Sequence, residues 1–226
     1  MASATWREDL KALLDSMDTW AKERGWRLVR EAPLTKEEVD ALPALLSTYP
    51  WELPTPFVEA AFPVPDSYRE FLLLHREVRL EYQPDGGAKW ETYRPFHVWA
   101  PTLDSLSASW VPAGTDVGDD QGDITTTDLI AFADAHLGSE AARWCFYTRT
   151  SPRNGELPVF MEDNDFETLT GHYVDSGEWL DPNNPPEPAF NSFEAWFTRV
   201  CEVLRREDLD LEDFRAVGNA LLKKEE

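Results

Sequence analysis

The chain has only two cysteines in 226 residues, Cys145 and Cys201. That is too few for a disulfide framework, and each falls in an apolar pattern, as a small core residue of a reduced, cytosolic protein does. No stretch approaches the roughly 18 consecutive apolar residues that a membrane helix needs. The first residues, "MASATWREDLKALLDSMD", are charged and hold no unbroken apolar run, which predicts neither a signal peptide nor a span. Basic residues are scarce as well, with 21 Lys and Arg against 43 Asp and Glu, a formal charge of -22. Such a chain repels phosphate backbones, so no direct nucleic-acid binding and no membrane partner are expected.

Catalytic and ligating patterns are also sparse. The four histidines (His75, His97, His136, His172) are scattered, with no two at metal-ligand spacing, and "HREVRLEY" is not a zinc-binding HExxH. Neither cysteine has a histidine close by in sequence to activate a thiolate. GxSxG, GxxxxGK[ST] and a strand-borne GxGxxG are missing, and the glycines of "QPDGGAK" fit a hairpin turn better than a phosphate cradle. Paired carboxylates could serve a glycosidase, but 43 acids always supply some pair. Ten tryptophans could line a sugar-stacking cleft, yet Trp20, Trp144 and Trp196 sit in apolar patterns that favour core packing. The expectation is a protein with no catalytic residues, cofactor or metal.

What the chain does have is alternating helix and strand signals. Trp6, Leu10, Leu13, Leu14, Met17 and Trp20–Ala21 predict a helix over 6–24 that Gly25 can stop. "TKEEVDALPALL" predicts a second, with Thr35 and Glu38 at capping-box spacing. The proline-rich stretch 49–65 reads as extended or briefly helical. "PDSYREFLLLHREV" predicts a helix with Tyr68, Phe71, Leu72 and His75 on one face. Strands are expected at 78–82 and in "TYRPFHVWA", where Pro95 marks an edge or a bulge. After a loop at 112–123, a helix is expected from about Asp128 to Leu137, closed by Gly138. "RWCFYTRT" and "ELPVFM" flank a hairpin turn at Asn154-Gly155. "LTGHYVD" reads as a short strand, and 176–188 as a loop. Asn191 and Glu194, at N-cap and N3 spacing, open a helix burying Phe193, Trp196, Phe197, Val200, Cys201 and Leu204. A last amphipathic helix spans about 211–222. Helices, then a few antiparallel strands, then helices predict an α+β domain, with a mixed, mostly antiparallel sheet packed with helices.

The acidic charge is uneven. Between Pro101 and Phe190, 17 acids stand against Arg143, Arg149 and Arg153, a net of -14 where an even spread would place about -9. Four of these acids, Glu162, Asp163, Asp165 and Glu167, fall within six residues. They do not make a calcium loop: counting from Asp163, positions 6 and 12 are Thr168 and Val174. Counting from Asp116, positions 3 and 6 are Gly118 and Gln121. Solubility and solvated turns are one reading of this charge, and a lure for a basic protein is another.

Two segments together resemble the SUKH superfamily, which includes fungal regulators of cell-wall synthesis. "FPVPDSYREFLLLH" (62–75) is similar to its "lP..y..fL" helix, and "NSFEAWFTRVCEVL" (191–204) to its closing "sSFeeFl..l" helix. "DLIAFADAHLG", "WCFYT" and "GELPVFMEDNDFETL" resemble the middle of the family, where a strand pair and an acidic stretch carry much of the exposed face. The resemblance covers roughly 35–206, leaving 1–34 as an N-terminal helical extension and 207–226 as a C-terminal helix packed on the same domain. It implies a binding module without chemistry of its own. Most bacterial members look like cytoplasmic immunity proteins of polymorphic toxin systems, each neutralising a cognate toxin, often a nuclease or deaminase. An intracellular scaffold or regulator of the same type without a toxin is the alternative. On this reading Asp119, Asp120, Asp123, Glu162, Asp163, Asp165 and Glu167 are the candidate partner contacts, facing the basic cleft that a nucleic-acid enzyme must carry.

Overall fold

In the computed structural model the described residues are 4–47, 63–101, 129–137, 140–147, 150, 152–162 and 187–223. Helix α1 (Ala4–Glu23) buries Trp6, Leu10, Leu14, Met17, Trp20 and Ala21, a three- and four-residue spacing that lines one face. It ends where Gly25 takes a φ of +71°, conformational space that glycine enters without a Cβ penalty. A four-residue strand that the sequence pattern does not announce, β1 (Arg27–Arg30), follows. Helix α2 (Lys36–Ser47) opens with the expected capping box: the Glu38 amide donates to Thr35 Oγ1 at 3.2 Å, and the Thr35 amide donates to Glu38 Oε2 at 2.7 Å.

Helix α3 (Asp66–Leu72) is shorter than its pattern suggests. Just beyond it the Arg76 amide donates to the Ala32 carbonyl, and the Arg76 carbonyl accepts from Ala100. The backbone is drawn into the sheet there and cannot continue the helix, so His75 lies past its end. Among the described residues, strands β2 (Glu77–Tyr82), β3 (Glu91–Trp99), β4 (Leu129–Leu137), β5 (Glu140–Tyr147) and β6 (Val159–Glu162) join β1 in a six-stranded sheet in the order β1 to β6. Every described pairing is antiparallel. The turn between β5 and β6 has Asn154 and Gly155 at φ of +54° and +83°, as the sequence pair predicts.

One element is corrected outright. Residues 129–137 form strand β4, not the helix expected from Asp128 to Leu137. Its alanines and leucines have high helix propensity, but β4 lies between β3 and β5, and both neighbours bond to it. Tertiary pairing overrides the local preference. Helix α4 (Phe193–Leu204) buries the expected face, but Ser192 is its N-cap, not Asn191: the Ser192 hydroxyl accepts from the Ala195 amide at 3.1 Å. Helix α5 (Phe214–Leu222) is capped by Asp213, whose carboxylate accepts from the amides of Arg215 and Ala216.

The helices bury their apolar faces against one side of the sheet in a single cluster. Trp6, Met17, Tyr68, Phe71, Phe132, Trp144, Phe146, Phe193, Trp196, Phe197 and Leu221 all belong to it, so residues of 1–34 and 207–226 share one core with 35–206. The architecture is α+β. Both cysteines are buried and free, and burial raises the Cys201 thiol pKa, which fits an inert core residue. Among the described residues no helix is long and apolar enough to cross a membrane. Most of the proline-rich stretch 49–65, the loop 112–123, the strand expected at 169–175 and most of the loop 176–188 lie outside the described residues.

Candidate functional site: the outer face of the sheet

The other side of the sheet carries a small apolar cluster of Ala131, Cys145, Tyr147 and Phe160, with Trp99 packed against it. No residue of a described helix belongs to this cluster. Beside it, β2 presents Glu77, Arg79 and Glu81 at period two, the alternate residues Val78 and Leu80 being in the helical core. Arg79 sits among three carboxylates. Its Nε donates to Glu81 Oε1 at 2.8 Å, and its Nη1 donates to Glu31 Oε1 at 3.2 Å and also to Glu77. Burial opposes the charge on Arg79, but these three hydrogen bonds outweigh it and raise its pKa. Arg27 extends the network from β1, its Nε donating to Glu81 Oε2 at 2.6 Å and its guanidinium lying 4.3 Å from the Trp90 ring centre.

His97 sits at the centre of the face. Its Nδ1 is 2.9 Å from Asp134 Oδ2 on β4, and its Nε2 is 3.1 Å from Glu77 Oε1 on β2. A ring that serves two carboxylate acceptors donates from both nitrogens, which is the imidazolium form. Burial works against that charge, but the hydrogen bonds to Asp134 and Glu77 prevail and push the pKa of His97 up to about 9. Glu77 is held below its usual range, chiefly by its hydrogen bond from His97.

The phase of the strands explains how these groups meet. Tyr93 faces the helices, and strict alternation would turn His97 the same way. However, the β2–β3 register steps from Leu80–Tyr93 to Arg79–His97, so β3 advances four residues while β2 advances one. Phe96 and Val98 then take the inner positions and His97 faces outward. Pro95 falls in this bulge, where its missing amide costs no ladder bond. On β4, Ile130 and Phe132 face inward, and alternation would bury Asp134 with them. A second bulge, between Ala131–Cys145 and Ala133–Trp144, puts both Phe132 and Ala133 in the core and returns Asp134 to the outer face.

Chemically the arrangement is saturated. The cations Arg27, Arg79 and His97 are each engaged by the chain's own carboxylates, and a doubly bonded imidazolium has no lone pair for base catalysis or metal ligation. Among the described residues no group of three His, Cys, Asp or Glu is arranged to hold a metal ion.

Of the residues singled out by sequence, Glu162 closes β6, with its Cα opposite Arg143 of β5, which in turn stands opposite Asp134. The described chain therefore reaches the start of the acidic run at the row that carries His97 and Asp134. Asp119, Asp120, Asp123, Asp163, Asp165 and Glu167 lie outside the described residues. The His97 network was not legible from spacing, because its members come from β2, β3 and β4 and the two bulges break the period. The one local trace is the Glu77, Arg79, Glu81 alternation. Comparison with protein-family models, with curated proteins and with solved structures finds no match to this chain.

Proposed function

We propose that this chain is a non-enzymatic binding protein of the bacterial cytoplasm, an immunity protein of SUKH type that neutralises a cognate basic toxin by direct contact through acidic residues. The observation that carries this reading is the charge, a net of -14 packed between Pro101 and Phe190 of a -22 chain. Toxins that act on nucleic acid carry basic clefts, and a dense acidic surface both fills such a cleft and speeds encounter. Glu162, Asp163, Asp165 and Glu167, with Asp119, Asp120 and Asp123, are the proposed contacts. The self-neutralised network around His97 supports binding over chemistry, since its charged groups are committed to each other.

The test is growth. The C-terminal domain of the adjacent upstream reading frame is expressed in bacteria with and without this protein. Death alone and rescue together are expected. A neighbour that is harmless, or that kills in both cases, removes the main support and favours a scaffold without a toxin partner.

A further inference from the structure

Strands β2, β3 and β4 meet between two bulges. β4 and β5 pair residue by residue from Leu129–Tyr147 to Leu137–Glu140, broken only by the single-residue bulge. Between β3 and β4, Val98 stands opposite Ala133. The bulges that turn His97 and Asp134 outward lie on either side of this pair, one in β2–β3 and one in β4–β5. At that place, three strands are joined by one side chain. His97 of β3 reaches Asp134 on β4 at 2.9 Å and Glu77 on the opposite neighbour at 3.1 Å.

We propose that His97 is a charged cross-strand lock, an imidazolium that holds β2, β3 and β4 in register beside their two bulges. Two charge-assisted hydrogen bonds are each stronger than a neutral ladder bond, so one ring adds to the backbone pairing where the bulges interrupt its regularity. The charged groups that face it are Glu77 and Arg79 on β2 and Asp134 on β4. Arg79 is bound to Glu77 as well, so if the ring lost its charge Glu77 would keep a hydrogen-bonded cation, whereas Asp134 would lose the one it has in His97 and keep only Arg143 opposite it on β5. The lock therefore yields first on the β3–β4 side. It does not depend on the toxin reading.

The sign follows from the raised pKa. A histidine of about 6.5 when unfolded and about 9 when folded contributes its full stability below about pH 6.5, and loses it as pH rises through 9. The experiment compares the wild-type chain with His97→Gln, which keeps size and one donor but not charge. At neutral pH the variant is expected to melt roughly 5 °C lower, with a gap that narrows to a small residue above pH 9. Its Val98 and Ala133 amides should exchange at least about 10-fold faster, with the Trp144 and Met161 amides of the β5–β6 pair unchanged. A gap that stays constant with pH, or protection lost evenly across the sheet, overturns the proposal. If His97→Gln does not fold, the assigned His97 ring is titrated by NMR in the wild type and in Glu77→Gln. Titration near 6.5 in the wild type overturns the lock, and a high wild-type value that falls in Glu77→Gln supports it.

Discussion

Single side chains join elements far apart in the chain. Ser67 is fully buried at the start of α3. Its hydroxyl donates to Glu156 Oε2 at 2.6 Å, its amide donates to Glu156 Oε1 at 2.8 Å, and its oxygen accepts from the Glu194 amide at 3.3 Å. One serine thus ties the β5–β6 hairpin to the start of α4. Burial raises the pKa of Glu156, and the two Ser67 hydrogen bonds only partly counter it. Ser67→Ala removes both bonds of the hydroxyl, leaving a half-buried carboxylate short of a donor and the Glu194 amide short of an acceptor. The expected cost is about 1–3 kcal/mol in urea unfolding at neutral pH. A cost below about 0.5 kcal/mol would mean that the hydroxyl is not a working partner. Gly155 in the same hairpin is required on two counts, its positive φ and its closeness to α3: a Cβ there would sit 2.2 Å from Asp66 Oδ2.

At the scale of elements, the parts legible in sequence are those whose signal is local. The stripe of α1, the Thr35–Glu38 box and the Asn154-Gly155 turn each need only a few neighbouring residues to be read, and each stands where expected. The parts missed depend on a neighbour. β1 is four residues long and exists because Arg27 to Arg30 pair with Glu81 to Val78. β4 has a helix-forming composition and is a strand because β5 lies beside it. The cap of α4 moved by one residue because Ser192, in extended geometry, aims its hydroxyl at the Ala195 amide. Ser192→Ala is therefore expected to destabilise by about 1 kcal/mol, and Asn191→Ala by less than half as much, in parallel denaturation curves. The reverse order would restore Asn191 as the cap.

For the whole molecule, charge is the dominant quantity. Long-range attraction to a basic partner speeds association and is screened by salt. Changing Glu162, Asp163 and Asp165 together to Lys shifts the formal charge by six, from -22 to -16. If the growth assay identifies a toxin, this triple variant should associate with it about 10-fold more slowly at low salt, with a flatter salt dependence and an unchanged melting temperature. An unchanged association rate would remove these acids from the encounter. The outer face of the sheet contributes less to such steering, because Glu77, Glu81 and Asp134 are already matched by Arg79, Arg27 and His97.

Composition and period alone determined the α+β class, the apolar helix faces, the buried cysteines and the acidic bias, because each is a property of residues near one another in the chain. The tertiary structure alone decided that β4 is a strand, that one core spans both ends of the described chain, and that His97 meets Glu77 and Asp134. The physical reason is phase. A strand's side chains alternate until a bulge resets them, and the register with neighbouring strands, not the local sequence, places the reset.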